Sequence, residues 1–344
     1  MQTVKYNFNR QTDRQTDRQT EYLSYYRAFA VICILLCHLV VENSNVYVQM
    51  TAQLFNIGVN IFIIISGICF GLQGAIKNTT KWYKKRSCRI YIPYETFLIF
   101  LAVVYLITGR HLQFGNWISC VIGVQGAQVG VLGADHTWFL TALLICYLIT
   151  PILSKIFCNV KIRNEWKLLV LIISLFLPIL LAYIPWVTCH TIGAYVCFYV
   201  IAYWFGTKLK DGFQFKNKYF ILYVLIILCA FAIRFGGRIL WDNTRFYNCI
   251  IVGYTQYIAA GSMLAVFAVI FPQNNGNKLL KWICKISFEI YLYHYMFIVG
   301  PVSLMNINGN WIISSLIVVG VTIVVAMCMH FITNYIEKYI LKFK

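Results

Sequence analysis

Residues 24–42 read SYYRAFAVICILLCHLVVE, an apolar run with only two basic side chains, Arg27 and His38, before the closing Glu42. It is long enough to cross a hydrocarbon core of about 30 Å as an α-helix. The pattern recurs at 51–75, 90–108, 138–156, 168–186, 191–207, 219–234, 249–271, 286–304 and 311–334, which makes ten expected transmembrane helices. With 60 % hydrophobic, 17 % aromatic and 12 % charged residues in 344, the chain has more apolar surface than one water-soluble core buries, so lipid is its main solvent. The strands of a membrane β-barrel would alternate apolar and polar residues over about ten positions; no such alternation occurs. The expected fold class is therefore an all-α integral membrane protein.

A formal charge of +18 raises the question of nucleic acid, but the position of the charges answers it. With the N-terminus inside, 25 of the 29 lysines and arginines fall on inside segments; Arg110, Arg234, Arg238 and Arg245 are left for outside loops. This is the bias of cytoplasmic loops in membrane proteins, so both termini are expected in the cytoplasm and no nucleic-acid partner is expected. The first span lacks a small-residue cleavage site and is expected to stay in the protein. The thirteen cysteines form no CxxC pair and no Cys/His spacing suited to zinc, so they read as apolar filler and no metal is expected. A disulfide among Cys120, Cys189 and Cys249, on or near outside loops, stays open.

Residues 11–20 read QTDRQTDRQT, with no apolar residue to stabilise an ordered form. The expected organisation is a disordered tail over 1–20 and one membrane domain over 21–344. A tetranucleotide repeat read through all three frames encodes such a period, and its slippage would suit a bacterial surface component switched on and off. The alternative is a start codon chosen upstream of the true one. The Gly-rich outside connection 109–137 holds an apolar stretch around Trp117 to Val124, read either as an interfacial or re-entrant segment or as a plain loop.

Ionisable side chains inside a span are costly unless they face other helices or water, so each is a candidate functional group. Arg27 and His38 lie eleven positions apart, three helical turns, and share a face with roughly 16 Å between them along the axis. Arg27 is near the cytoplasmic end and His38 in the outer half. A neutral imidazole at that depth suits a general base, and the competing reading is a histidine bonded for packing alone. On the ninth span Glu289 is near the inner end and His294 about midway, on different faces; His294 is the better catalytic neighbour. Glu95 and His330 fall toward the inner side as expected partners for the basic groups there. Arg86 and Arg89, at i and i+3 where the third span begins, put two guanidinium forks on one helix side, a geometry for a phosphorylated ligand; the competing reading is the inside-positive bias alone.

Taken in order, these residues resemble acyltransferase family 3, membrane proteins that transfer acyl groups to exported sugars and related acceptors. Tyr26-Arg27-Ala28 with Cys37-His38 is similar to the family's first helix. Gly58-Val59-Asn60-Ile61-Phe62 through Ser66-Gly67 is similar to its second, and Arg86-Ser87-Cys88-Arg89-Ile90 with Pro93 to the entry of its third. His136-Thr137-Trp138-Phe139-Leu140 with Tyr147 and Pro151, and Ser287 through His294, resemble two further segments. Asn60 stands where the family usually has an acid, and Glu289 where it has a small polar residue. The resemblance implies acetyl-CoA or another acyl-CoA as cytoplasmic donor, bound by Arg86, Arg89 and Ser66, with Arg27 near the thioester and catalysis by His38, Arg27 and His294. It implies an acceptor hydroxyl on a lipid-linked or exported glycan (lipopolysaccharide, capsule or exopolysaccharide), a multi-pass place in the bacterial cytoplasmic membrane among membrane lipid, and glycan-export machinery as a partner. A covalent acyl-histidine step through His38 is the variant mechanism. A secondary transporter or flippase for a glycan-related substrate is the rival function, and a non-catalytic scaffold the third.

Overall fold

The computed structural model describes residues 21–111, 113–124, 130–183, 190–242, 244–271 and 277–342. The repeat-bearing tail, Gly126 and Cys189 lie outside them. In chain order the helices are α1 Glu21–Val41, α2 Val46–Phe55, α3 Gly58–Gln73, α4 Thr79–Ile107, α5 Phe114–Ile122, α6 Trp138–Phe157, α7 Asn164–Tyr183, α8 His190–Lys210, α9 Phe220–Trp241, α10 Val252–Ile270, α11 Lys278–Lys285, α12 Ser287–Ile298 and α13 Trp311–Lys342. Among the described residues nine helical segments are long and apolar enough to cross a membrane, each overlying one of the ten expected spans. Asn side chains start several helices: Asn78 accepts from Lys81 N at 2.8 Å, Asn277 from Leu280 N at 3.1 Å and Asn310 from Ile312 N at 2.8 Å, each relieving an orphan amide of the first turn.

The tenth expected span, 286–304, is the exception. Its helix, α12, has twelve residues and reaches roughly 18 Å, too short to span lipid. It crosses inside protein instead: nearly every side chain from Ser287 to Ile298 is buried. Where the helix stops, Leu304 N takes the carbonyl of Phe297 at 2.8 Å and Ser303 Oγ that of Ile298 at 2.5 Å. Irregular backbone at membrane depth is tolerated only when such partners exist. The inner end of α12 is tied to the second half of α13 through Glu289 and His330, while Trp311 at the start of α13 bonds Leu39 O at the outer end of α1. With α12 added to the nine longer segments, the described residues hold a helix at each of the ten expected spans. Each described end is tied to a basic segment that the charge pattern assigns to the cytoplasm: Glu21 pairs with Lys281 and Glu337 with Arg89.

The second expected span is broken into α2 and α3 at Asn56 and Ile57. Two side chains take the carbonyls this break frees. Gln256 Nε2 donates to Asn56 O at 2.6 Å, and Arg234 Nη1 donates to Gln53 O at 2.9 Å, a cation at the C-terminus of α2. Arg234, expected on an outside loop, is thus 1 % exposed, because α9 continues to Trp241. Likewise α4 starts at Thr79 rather than near residue 90, so Arg86 and Arg89 lie inside the helix, in the charged stretch before its apolar part. The stretch after Gln113 is neither a plain loop nor a span: α5 is a short helix held to α4 by Tyr94 OH, which donates to Cys120 O at 2.8 Å, with Phe114 and Ile122 exposed. Cys120 and Cys249 are both buried.

Helices α3 and α8 pack backbone to backbone. Gly67 and Gly71 face Ala202 and Gly206, and a Cβ at Gly67 would lie 2.8 Å from that of Ala202 and 2.9 Å from Tyr199 O. Small residues four apart on both helices let backbones touch, which is how membrane helices gain packing without a hydrophobic driving force.

Candidate active site

The inner end of α3, α4, α12 and α13 surrounds a cavity of about 580 Å³ that reaches α1 and α6. Its walls carry Arg27, Arg86, Arg89 and Lys285 against two carboxylates, Glu289 and Glu337. The carboxylates are already engaged. Arg89 Nε meets Glu337 at 3.3 Å, and His330 Nδ1 meets Glu289 at 2.8 Å, with Thr333 Oγ1 donating to the same oxygen at 3.4 Å. Arg27 and Arg86 have no carboxylate partner among the described residues. Arg86 lies over the Phe70 ring at 4.6 Å and donates to Gln73 Oε1 at 3.2 Å, leaving its buried Nε without a bond; Arg27, with its Nε also unbonded, lies 5.8 Å over Phe62. A cavity with two stacked, unneutralised guanidinium groups is suited to a multiply charged anion.

Arg86, Arg89, Ser66 and Arg27 therefore line one space, as does His330. The expected pairing of acids with cations is corrected in part. Glu95 is half-buried on α4 away from this cavity and makes no ion pair among the described residues, and His330 pairs with an acid rather than serving a basic group.

Phe62, Phe139 and Tyr291 line the cavity as an aromatic wall, with Tyr291 6.5 Å from Phe62 and 5.7 Å from Phe139. Tyr291 OH donates to His136 O at 2.7 Å, which fixes the turn that starts α6. Behind the wall three histidines gather from three elements. His294 of α12 is 5.2 Å from His38 of α1 and 4.9 Å from His136, and Tyr295 lies 5.0 Å from both His38 and His136. Among the described residues no group of three or more His, Cys, Asp or Glu side chains forms a metal-ligand set.

His294 is the most defined of the three. Fully buried, it turns Nδ1 to Tyr291 O at 2.7 Å and Ile290 O at 3.2 Å, so the network assigns the ring proton to Nδ1 and leaves Nε2 bare. A bare, oriented nitrogen accepts a proton or a hydrogen bond. His38 is only partly buried, the least covered of the three. Sequence reasoning brought Arg27, His38 and His294 forward but passed over His136 as a site residue; its signal was the polar His-Thr pair at the outer start of an apolar helix. Gln256 and Arg234 at the helix break carried no signal in a single sequence.

The model of a protein family described as an acyltransferase domain matches residues 20–331 of the chain. No curated protein and no solved structure matches it.

Proposed function

The chain belongs to acyltransferase family 3, and from that premise we propose that it is an O-acyltransferase of the bacterial cytoplasmic membrane. In this reading it moves an acetyl or similar acyl group from cytoplasmic acyl-CoA to a hydroxyl of a lipid-linked or exported glycan. The observation that carries the reading is one file of contacts: a cationic inner cavity, Arg27 over Phe62, Phe62 against Tyr291, and Tyr291 against His136 and His294, with His38 beyond. It offers a phosphate-binding mouth on one side and a base on the other.

The nucleotide phosphates bind Arg86, with Arg89, Lys285 and Ser66 around them, and the neutral arm of the donor points toward Arg27 and the aromatic wall. The acceptor comes from the outer side. Its hydroxyl gives its proton to His38, held in place by His294 and His136, as the oxygen attacks the thioester carbonyl. The C–O bond forms, the C–S bond breaks and the thiolate leaves toward the cytoplasm. Export machinery would supply and remove the acceptor.

The test is to incubate purified protein with acyl-labelled acetyl-CoA and lipopolysaccharide, capsule or exopolysaccharide acceptors, and to locate the label by mass spectrometry. Loss of the general base in His38→Ala is expected to cut incorporation about 10²- to 10⁴-fold. Incorporation unchanged in that variant, or none into any of these glycans by folded wild-type protein, overturns the reading.

A further inference from the structure

On the other side of the inner end of α3 lies a second cavity, of about 540 Å³, between α3, α6, α7 and α8. It shares no lining residue with the donor cavity: Gly71, Gly74 and Ala75 face this one, whereas Phe70 and Gln73 face the other. Three lysines line it, Lys167 from α7 and Lys208 and Lys210 from the end of α8, against one acid, Asp211. Lys208 and Asp211 are 3.9 Å apart and both largely exposed, which leaves a net positive site. Lys210 lays its ammonium group against Gly74, whose φ of 76° and missing Cβ admit it at the C-terminus of α3.

Apart from Asn164 and Thr207, the remaining walls are mostly apolar and reach the surface. Trp204, Phe157 and Leu171 form the interior, and at the rim Leu168 is 57 % and Val160 94 % exposed. From Leu168 an exposed stripe runs outward along α7 through Ile172 and Leu175, at i, i+4 and i+7, on a helix with little of its surface covered by protein. Cations at the cytoplasmic interface joined to an apolar track along a lipid-facing helix match the two halves of an anionic phospholipid. A soluble nucleotide would leave that track uncovered.

We infer that this cavity is a binding site for an anionic phospholipid of the cytoplasmic leaflet, its phosphate among Lys167, Lys208 and Lys210 and its acyl chains along the outer face of α7. The site fills the gap between α7 and the α3–α8 pair, and it stands independently of the acyl-transfer reaction.

The full chain is purified in detergent, exchanged into mixed phosphatidylglycerol and phosphatidylcholine of the same acyl chains, and its retained lipid is counted by native mass spectrometry. Wild type is expected to enrich phosphatidylglycerol about a hundredfold. Each lysine lost lowers retention about fivefold, so Lys167→Gln/Lys208→Gln/Lys210→Gln brings the two lipids near parity, while Lys81→Gln/Lys84→Gln/Lys85→Gln, in a neighbouring inner segment, leaves the enrichment intact. If the triple variant does not remain monodisperse, Lys167→Gln alone is read against the same fivefold expectation. Enrichment that persists without the three lysines, that falls equally in the control triple, or that millimolar inorganic phosphate or CoA abolishes overturns the inference.

Discussion

Arg86 and Arg89 look equivalent in sequence, yet their surroundings differ, and under the proposed function they should carry unequal weights in binding an acyl-CoA donor. Arg86 has no carboxylate partner among the described residues and is stacked 4.6 Å over Phe70, so its charge is available to an incoming phosphate. A hydrogen bond to a charged group is worth roughly 1.5–3 kcal/mol, and Arg86→Ala is therefore expected to raise the KM for acetyl-CoA about 10- to 150-fold. Arg86→Lys keeps the charge but loses the fork and the stacking, and should fall between. Arg89 already meets Glu337 at 3.3 Å, with side chains 48 % and 23 % exposed, so removing it forfeits a screened charge worth about 1 kcal/mol or less, fivefold at most in KM. Conversely, Glu337→Gln frees Arg89 and should lower the KM by up to about fivefold. The assay is thiol release at steady state with acetyl-CoA and with acetyl-pantetheine, which lacks the nucleotide phosphates; the Arg86 effect should vanish with the second donor. An equal loss with both donors, or an Arg89→Ala effect as large as that of Arg86→Ala, would refute the assignment.

At Gly71 an added Cβ would press on the Tyr203 carbonyl and lie 2.9 Å from two Gly206 backbone atoms, so Gly71→Ala should cost about 1–3 kcal/mol in detergent unfolding, whereas Gly320→Ala, with open space around it, should cost none of this. Gln256→Leu leaves the Asn56 carbonyl at the helix break without its 2.6 Å donor and should destabilise by about 1–3 kcal/mol; wild-type stability in this variant would show that the bond does not support the break. Glu289 and His330, 2.8 Å apart across α12 and α13, should couple by roughly 0.5–3 kcal/mol in a double-mutant cycle, and additivity of Glu289→Ala and His330→Ala would disprove the coupling.

The all-α membrane class and the nine long apolar helices were legible in the residues because they rest on local quantities: the length of an apolar run and the helical character of its residues. The same locality misled where a span is covered by protein rather than lipid. Nothing in 286–304 distinguishes a lipid-facing helix from α12, which is short because its neighbours supply the partners that lipid cannot. Nor did 51–75 reveal a break whose carbonyls are satisfied by Gln256 and Arg234, far away in the chain. Only the tertiary structure decided that His38, His136 and His294 meet, that Glu337 engages Arg89 and leaves Arg86 open, and that His330 answers Glu289. Hydrophobic length and helical period fix where each segment lies in the membrane, whereas the choice of which helices touch is made by side-chain packing between residues distant in sequence, and that choice builds the site.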